Sequence, residues 1–363
     1  MKNKTVIYAI LNWGLGHATR SAPIIRRLID DGNRVVIVSH GLALSLMKEQ
    51  FPECVFRDIR DKNIQYAAAG IMFVFKIVAQ FPKMLLGWGY ERKKLKALVK
   101  EFRPDLIMTE MRLGFWSKNI PSVLITNQLR FVLPSGLKWA EILGEWFNFL
   151  VFRHYDYVFV PDVGGEPNLL GDLCHKGRIA KHPKVRYIGC LSSIIPDEDP
   201  PEKDIDLLIS ISGPEPQRTA FEKIVLSRIA ELSGKVIITL GQPGREGVRE
   251  YDNGRIMIYP HVDRRTMTNI MQRAKYVISR SGFSTVNELF VLGKTTLLVP
   301  TPGQTEQEYI ARHFYEQGLF NYCRQENLEL KHFSAMDAVP AAELNIPVND
   351  LDHIIGLLDV LCT

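Results

Sequence analysis

Cysteine is scarce in this 363-residue sequence, and its five cysteines are odd in number and scattered. No two of them form a Cys-x-x-Cys pair, so neither a disulfide framework nor a zinc site is favoured, and a reducing cytoplasm is the expected compartment. Long apolar runs are also missing, because no uninterrupted stretch of about 18 apolar residues predicts a membrane-spanning helix. The apolar run Thr5–Leu11 is too short for the core of a signal peptide and ends in a glycine turn.

Strong charge and metal-binding patterns are lacking too. The net charge of +5 suits an anionic ligand or an anionic membrane surface, and it is too small to indicate nucleic acid. We find no short-period repeat, no low-complexity tract, and no Asp-x-Asp triplet of the kind that suggests a metal-bound diphosphate. We therefore expect neither a metal nor a cofactor.

What the sequence does contain is a regular alternation of short β-branched segments with helical patterns, which predicts parallel sheets with crossover helices. The alternation restarts after residues 194–203, where three prolines and a charge cluster disfavour a helix or a central strand. We predict an α/β protein with two Rossmann-like doubly wound domains, at residues 1–195 and 204–347. A C-terminal helix at 348–363 is available to pack back on the first domain. Ligands of such sheets bind at the carboxyl ends of the strands, so the expected site is a cleft between facing domains.

A glycine turn follows the first predicted strand and contains Gly14, Gly16 and His17. Such a turn permits close backbone approach, and the helix after it offers amide groups to an anion. It is not a dinucleotide fingerprint, because Thr19 stands where the third glycine would be; the alternative is a tight turn without a ligand. A neutral His17 at this position could take a proton from an acceptor hydroxyl, although a lone histidine is more often structural.

The second half contains an equivalent turn after its first strand. Ser212 and Gly213 can present hydroxyl and amide donors there, and Arg218 could pair with a phosphate. The alternative is a solvent-exposed loop followed by an ordinary surface charge on the next helix.

The segment Ile278–Leu289 again predicts a strand, a glycine turn and a helix. Hydroxyls and amides cluster at the start of that helix, where they can hold a diphosphate. They belong to Ser281, Gly282, Ser284 and Thr285. Glu288 lies farther along the helix, placed to accept hydrogen bonds from two neighbouring ribose hydroxyls. A second polar turn, Thr301–Tyr309, follows the next predicted strand.

These segments resemble the glycosyltransferase-B superfamily, above all the MurG type of lipid-acceptor N-acetylglucosaminyltransferase and its sterol and glucuronosyl relatives. The family carries an R-S/G-G-x-x-T-x-x-E segment, an L-x-V-P strand and then an acidic-or-Gln/Gln pair, and residues 280–307 match this order nearly throughout. Residues 14–17 match the Gly-x-Gly-His of its first loop. The resemblance implies the glycosyltransferase-B (GT-B) fold and a transferase that moves a sugar from a nucleotide-sugar, UDP-linked, to a hydroxyl acceptor. It also implies inversion at the sugar without a metal.

The resemblance implies roles by position. Glu288 would hold the ribose, Glu306 and Gln307 the hydroxyls of the donor sugar, and the backbone near His261 and Val262 the base. Donor contacts around the diphosphate would come from Gly14, Gly16, Ser212, Gly213, Arg218, Arg280, Ser281, Gly282, Ser284 and Thr285. For Arg280 a structural role facing the domain interior is the alternative.

Two residues are candidates for catalysis. His17 would lie at the reacting centre, as general base or as a diphosphate contact. Glu110 follows the predicted strand Leu106–Thr109 and could orient His17 or replace it as base. The alternative for Glu110 is a helix-capping or surface carboxylate.

The chain also departs from the MurG type. It reads Gln307-Glu308 where that type has paired glutamines, so the donor sugar need not be N-acetylglucosamine. A UDP-sugar hydrolase of nonulosonic acid synthesis shares the fold and a Gly-x-Gly-His loop followed by Arg, which Arg20 fits. A nucleotide-sugar 2-epimerase and a non-catalytic sugar-nucleotide-binding protein are further alternatives.

Acceptor residues are expected in the first domain, where residues 71–88 and 139–153 are apolar and aromatic with basic residues at their edges. Such helices can dip into a membrane interface and admit a lipid-linked acceptor or glycan precursor of the cell envelope. The protein would then be cytoplasmic and peripheral on the inner face of the plasma membrane. The alternative is that both are core helices.

Overall fold

The computed structural model describes residues 1–61, 71–133, 136, 138–196, 199–242, 244–330 and 346–362, and of the helical residues 71–82 it describes the backbone. The chain divides into two compact units. The first unit comprises Met1–Ser193 with Asn345–Thr363, and the second comprises Ile194–Leu344.

The elements of the first unit are β1 (Thr5–Ile10), α1 (Gly16–Asp30), β2 (Arg34–Ser39), α2 (Gly41–Gln50), β3 (Val55–Asp58), α3 (Ile71–Phe102), β4 (Leu106–Glu110), β5 (Ser122–Ile125), α4 (Lys138–Phe152), β6 (Tyr157–Val160), α5 (Asp172–His175) and β7 (Val185–Tyr187). Those of the second are β8 (Ile205–Ser210), α6 (Gln217–Ser227), β9 (Val236–Thr239), β10 (Arg249–Tyr251), β11 (Ile256–Tyr259), α7 (Arg264–Arg273), β12 (Ala274–Ser279), α8 (Phe283–Val291), β13 (Thr295–Leu298), α9 (Thr305–Glu316) and β14 (Asn321–Tyr322). The chain then returns to the first unit as α10 (Leu351–Cys362).

The sheet of the first unit is parallel throughout, in the order β3-β2-β1-β4-β5-β6-β7. Its central strands are almost uninterrupted apolar runs, because helices cover both faces of the sheet and leave no solvent-exposed face for polar residues. Helices α1, α2 and α10 contribute to the hydrophobic core on one face. The C-terminal half of α3 contributes to a separate core on the other.

Helix α10 is part of the first unit's core although it follows the whole second unit in sequence. Ile354, Ile355 and Leu358 are buried in the same cluster as the apolar side of α1. The amino group of Met1 forms an ion pair with Asp359.

The sheet of the second unit has the order β10-β11-β9-β8-β12-β13-β14; among its described strands, β10 pairs antiparallel with β11 and the others pair in parallel. Residues of β8, β9, β11, β12 and β13 form its core with the apolar side of α6. The predicted fold class of doubly wound α/β units is therefore confirmed. Strands β3, β10 and β14 were not predicted.

Each sheet has one point at which the strand order reverses. In the first unit it lies between β1 and β4, and in the second between β8 and β12. Connections leave such a point toward opposite faces, which opens a crevice at the carboxyl ends of the two strands. The glycine turns and Glu110 lie at the ends of these four strands, so each unit carries candidate residues at its own switch point. His261 and Val262 follow β11 instead, and Glu306 and Gln307 follow β13.

Candidate functional site

The switch point of the first unit brings His17 and Glu110 together. His17 is the second residue of α1, one turn beyond β1, and Glu110 is the last residue of the neighbouring β4. His17 Nδ1 lies 3.0 Å from Glu110 Oε1. Glu110 is fully buried, whereas the His17 side chain is 18% exposed. The carboxylate is thus inside the protein and the imidazole lies between it and solvent.

Arg20 completes this cluster from the next turn of α1. Its Nη2 atom forms an ion pair with Glu110 Oε1, lies 3.1 Å from His17 Nδ1, and lies 3.4 Å from Asn127 Oδ1. Burial alone would raise the pKa of the Glu110 carboxyl, but the charge of Arg20 and the contact with His17 outweigh it, so that pKa lies below its ordinary value. Glu110 is therefore an anion at neutral pH.

The charge of Glu110 selects the tautomer of His17. A carboxylate only accepts hydrogen bonds, so a hydrogen bond between the two requires His17 Nδ1 to carry the proton. Arg20 and His17 then both donate to Oε1, and their mutual 3.1 Å approach is a consequence of sharing that acceptor. In the neutral imidazole, Nε2 is left with the lone pair that a general base needs. The alternative of a capping or surface carboxylate for Glu110 does not fit its burial.

A second buried carboxylate–histidine pair in the same unit has a structural explanation. Asp162 is fully buried just beyond β6, and its Oδ2 atom lies 2.9 Å from His175 Nε2. The same carboxylate accepts hydrogen bonds from the backbone amides of Val163, Leu169 and Leu170. Asp162 therefore fixes the loop that follows β6, and it serves below as a matched control for Glu110.

Glycine is required at one position of the first loop. Gly14 has φ +81°, in the left-handed region that favours glycine, and a Cβ there would meet no atom within 4 Å. Its role in the turn is therefore conformational. Gly16 begins α1, so its amide lies among those that a helix N-terminus directs outward.

In the second unit, the turns after β12 and β13 are tied together. Ser281 is fully buried and donates a hydrogen bond from Oγ to the backbone oxygen of Gln307, at 2.8 Å. The Oε1 atom of Gln307 accepts from the amide of Thr301 at 2.9 Å. Glu308 holds the same turn through the amide of Gly303, at 3.0 Å. The first turn of α9 thus fixes the loop beside the start of α8.

The remaining diphosphate candidates lie at the same edge of that sheet. Gly282 precedes the first turn of α8, in which Ser284 and Thr285 are half-buried. Ser212 and Gly213 are exposed in the loop after β8. Gly213 has φ +112°, and a Cβ there would lie 3.6 Å from Thr301 Oγ1, so the two loops approach one another.

The loop between β11 and α7 carries the residues proposed for the base. His261 is exposed and Val262 half-buried, and Asp263 caps α7 by accepting from the Thr266 amide at 2.8 Å. Glu306 is half-buried in the first turn of α9. His261 and Val262 follow the carboxyl end of β11, and their contact with a base stays a prediction.

Glu288 has a partner that the sequence did not reveal. This nearly buried carboxylate on α8 forms a two-point ion pair with Arg264, the first residue of α7. Arg264 Nη1 lies 3.2 Å from Glu288 Oε2, and Nη2 contacts Oε1. The guanidinium thus contacts both oxygens of the carboxylate.

Two arginines do not take the positions predicted for them. Arg280 is buried, and its Nη atoms donate to three backbone oxygens and to Gln325 Oε1, the last at 2.7 Å. Burial lowers the pKa of Arg280 to about 10. Its guanidinium faces the interior and binds these carbonyls, which fits the structural alternative.

Arg218 is similarly engaged. Its guanidinium donates to Glu215 Oε1 at 2.6 Å, to Glu222 Oε2 at 2.7 Å and to the backbone oxygen of Leu240 at 3.1 Å. Two carboxylates already neutralise this buried cation, which leaves it poorly suited to a phosphate.

Among the described residues, no group of three or more His, Cys, Asp or Glu side chains is placed to hold a metal ion. The spacing Asp-x-Asp does occur at Asp204 and Asp206. It lies at the amino end of β8, opposite the switch-point edge, and both carboxylates form ion pairs with basic side chains. This triplet therefore does not face the candidate donor residues.

An apolar stripe lies exposed on α4. Trp139, Ile142, Leu143 and Trp146 recur at helical spacing and are between 60% and 68% exposed. Leu85 and Leu86 of α3 are exposed as well. Of the apolar stretch 71–88, the side chains of 71–82 lie outside the described residues. The exposed apolar side chains of α3 and α4 do not fit the alternative that both are purely core helices.

A cavity of about 550 Å³ lies between α3, α4 and residues 113–116. Aromatic groups line it, with Trp88 stacked on Phe147 and Trp116 stacked on His154. The Arg92 guanidinium lies over the Trp116 ring, and Lys93, Lys96 and Arg153 stand at the cavity. In the part of the chain that the structure describes, no helix combines the length and the apolar composition needed to cross a membrane.

Sequence reasoning missed Asn127 and Arg264 as members of these clusters. Asn127 lies just beyond β5. Its position as a polar residue past the end of a predicted strand is the sequence feature that could have identified it. Arg264 follows the capping Asp263, so the start of a helix at the carboxyl edge was the signal there. Neither signal identifies the partner, which belongs to a distant part of the chain.

Comparison with known families matches both units. Residues 219–336 match the model of the glycosyltransferase family 28 C-terminal domain, and residues 4–128 match that of glycosyl transferase family 1. No curated protein sequence matches the chain.

Solved structures share the fold over nearly the whole chain. The glycosyltransferase SnogD from Streptomyces nogalater has a TM-score of 0.65 at 11% identity, with 99% of this chain and 100% of that chain covered. The spinosyn rhamnosyltransferase SpnG complexed with thymidine diphosphate has a TM-score of 0.60 at 14% identity, with 98% and 100% covered. MurG of Acinetobacter baumannii has a TM-score of 0.56 at 16% identity, with 98% and 99% covered. At these identities the likeness is one of fold.

Proposed function

Because the chain is a glycosyltransferase with the GT-B fold, we propose that it transfers a sugar from a nucleoside diphosphate sugar to a hydroxyl acceptor. The observation that carries the transfer step is the buried, ionised Glu110 within 3.0 Å of His17 Nδ1, at the switch point of the first unit. That pair fixes an imidazole with a basic nitrogen at the ligand-binding edge of a doubly wound sheet.

In this mechanism His17 is the general base. As the acceptor oxygen bonds to the anomeric carbon, its proton passes to His17 Nε2 and the bond from that carbon to the diphosphate oxygen breaks. The imidazolium that forms is stabilised by Glu110, which already accepts the Nδ1 proton. A single displacement of this kind inverts the anomeric centre.

We assign the donor to the switch-point edge of the second unit. The amides at the start of α8 would hold the diphosphate, Glu288 the ribose, the loop at His261–Val262 the base, and Glu306 with Gln307 the sugar. Two similar solved structures, VinC and SpnG, carry thymidine diphosphate. The base of thymidine diphosphate is a pyrimidine, as is the base of UDP. UDP is our proposed carrier, and thymidine diphosphate is the competitor to test against it.

The same edge supplies charge stabilisation for the departing diphosphate. A helix N-terminus carries about half a positive charge, and the hydroxyls of Ser284 and Thr285 stand beside it. We therefore propose that transfer needs neither a metal nor a cofactor.

The acceptor is proposed to be lipid-linked. The exposed stripe on α4 and the aromatic cavity beside it, with basic side chains around both, suit a protein that rests on an anionic membrane surface. This would place the enzyme in the cytoplasm, peripheral on the inner face of the plasma membrane, acting on an envelope precursor.

Hydrolysis of the donor is the second candidate, and Arg20 is the observation that favours it. This arginine follows the Gly-x-Gly-His loop as in the hydrolase pattern, and it binds Glu110 directly. In that case water takes the place of the acceptor hydroxyl at His17.

One assay separates these functions. Purified protein is given UDP-sugars and dTDP-sugars, and nucleoside diphosphate release is followed with and without a polyprenyl-linked acceptor mixture. We expect release that depends on the acceptor and falls by about 10²–10⁴-fold in His17→Ala, with UDP affinity unchanged. His175→Ala, which removes the histidine bound to the buried Asp162 of the same unit, is the control and should retain turnover. Release at full rate without acceptor would establish the hydrolase, and full turnover by His17→Ala would refute this base.

A further inference from the structure

The ion pair between Arg264 and Glu288 blocks the contact on which donor binding is proposed to depend. Glu288 is 6% exposed and Arg264 24% exposed at the side chain. A guanidinium that binds a carboxylate at two points uses both oxygens on one edge. Because so little of this carboxylate is exposed, two adjacent ribose hydroxyls that approach the same edge compete with the ion pair.

The backbone on both sides of the pair is fixed. Asp263 caps α7 through the Thr266 amide and hydroxyl, at 2.8 and 2.7 Å, and the backbone oxygen of Arg264 accepts from Thr268 Oγ1 at 3.0 Å. Glu288 lies within α8, and its backbone oxygen accepts from the Leu292 amide. Release of the ion pair therefore requires rotation of a side chain, and the partly exposed Arg264 is the one with room to rotate.

A released Arg264 would remain close to the start of α8. Glu288 lies six residues beyond Gly282, which is about 9 Å along the helix axis at about 1.5 Å per residue. Side chains on a helix lean toward its N-terminus, which brings the carboxylate, and the guanidinium bound to it, nearer to those amides. The bound cation is thus one side-chain rotation away from a diphosphate held at the N-terminus of α8.

We propose that Arg264 exchanges partners when the donor binds, leaving Glu288 to the ribose diol and moving to the diphosphate. This inference rests on the proposed donor site and adds a residue that the sequence motif does not include. Arg264 then has two opposite effects: it competes with the ribose, and it attracts the diphosphate. No covalent bond is made or broken in the exchange, because one ion pair replaces another.

The test uses two probes that separate those effects. Uridine presents the ribose without charge, whereas UDP presents ribose and diphosphate. Dissociation constants are measured by isothermal titration calorimetry for UDP and by ligand-observed NMR for uridine. In Arg264→Gln we expect uridine to bind roughly three- to tenfold more tightly and UDP to bind roughly three- to tenfold more weakly. Changes of the same sign for both probes, or no change in either, would overturn the exchange.

Arg265→Gln is the matched control, because Arg265 is the adjacent exposed arginine on the same helix. It removes one charge without touching Glu288, so the affinity for uridine should not change. If Arg264→Gln does not fold, Arg264→Lys keeps the charge and loses the two-point fork. Uridine should then bind more tightly while UDP affinity is retained, and a Lys variant that weakens uridine binding would contradict the exchange.

Glu288→Gln separates failure of the exchange from failure of the donor site. If this variant binds UDP with unchanged affinity, Glu288 does not hold the ribose and the donor assignment itself is wrong. If Glu288→Gln weakens UDP binding while Arg264→Gln alters neither probe, the donor site stands and the exchange alone is refuted.

Discussion

Replacing Glu110 by glutamine tests the proposed catalytic role of the cluster formed by Glu110, His17 and Arg20. The substitution keeps the shape of the side chain and removes its charge. In the wild-type protein the fully buried carboxylate binds Arg20 and His17 through one oxygen. In Glu110→Gln the amide can still accept one of these hydrogen bonds, but Arg20 loses its anion and His17 loses the group that selects its tautomer.

Both activity and stability should fall. A misplaced proton on His17 removes general base catalysis, which contributes about 10²–10⁴-fold to the rate. Removing one partner of a buried ion pair costs about 3–5 kcal/mol, and since glutamine retains one hydrogen bond we expect the lower end, about 3 kcal/mol. For a unit of about 200 residues this corresponds to a decrease in Tm of roughly 6–12 °C.

The stability effect also has a predictable pH dependence. The folded pKa of Glu110 lies below its ordinary value of 4.5, because Arg20 and His17 outweigh the effect of burial. A carboxyl group of this kind stabilises the fold fully above pH 4.5, and the contribution is lost as the pH falls through the folded value. The difference in unfolding free energy between wild type and Glu110→Gln should thus be constant near neutrality and shrink below pH 4.5.

The assay pairs initial rates at saturating donor with thermal unfolding of both proteins. Asp162→Asn is the control, because Asp162 is equally buried and bound to a histidine but organises a loop. It should lower Tm by a similar amount and leave the turnover of the folded protein intact. If Glu110→Gln lowers Tm and keeps the wild-type kcat, Glu110 is structural and the proposed mechanism is wrong.

Three further predictions follow from the other features. Arg280→Ala should lower the free energy of unfolding of the second unit by at least about 3 kcal/mol, because the buried carbonyls lose a charged donor. Chemical unfolding measures this loss, and a loss below about 1 kcal/mol would contradict the structural role. The double variant Ile142→Glu, Leu143→Glu should abolish co-sedimentation with anionic vesicles. Its Tm should not change, because both side chains are exposed. Retained vesicle binding would show that α4 does not make the membrane contact. Transfer should continue within about twofold of its normal rate in excess EDTA, as stabilisation by helix amides requires, and loss of activity restored by Mg²⁺ would refute the metal-free mechanism.

The sequence locates the elements of each site better than their partners. His17 is identifiable from the glycine turn that follows a predicted strand, and Glu110 as the residue after another predicted strand. Their contact depends on β1 and β4 being neighbours, which strand order decides and local pattern does not. The same limit applies to Arg264 and Glu288, which come from different helices of the second unit.

Strands that the sequence did not reveal are short or polar. The residues of β10 are all exposed, so no alternation marks them, and β14 has two residues. For Arg280 the sequence left a donor contact and a structural role open. It could not decide between them, because the carbonyls that hold the guanidinium inside come from segments distant in sequence. Long apolar strands and glycine turns were predictable because neighbouring residues alone specify them.

The return of α10 to the first unit has a consequence for biosynthesis. The second unit is continuous in the chain, whereas the first is interrupted by it and is completed only by the residues that leave the ribosome after it. Until then the apolar groove that receives Ile354, Ile355 and Leu358 stands open to water. The second unit can therefore reach its native state without α10, and a released chain truncated after residue 345 should bind uridine nucleotides while its first unit is sensitive to protease.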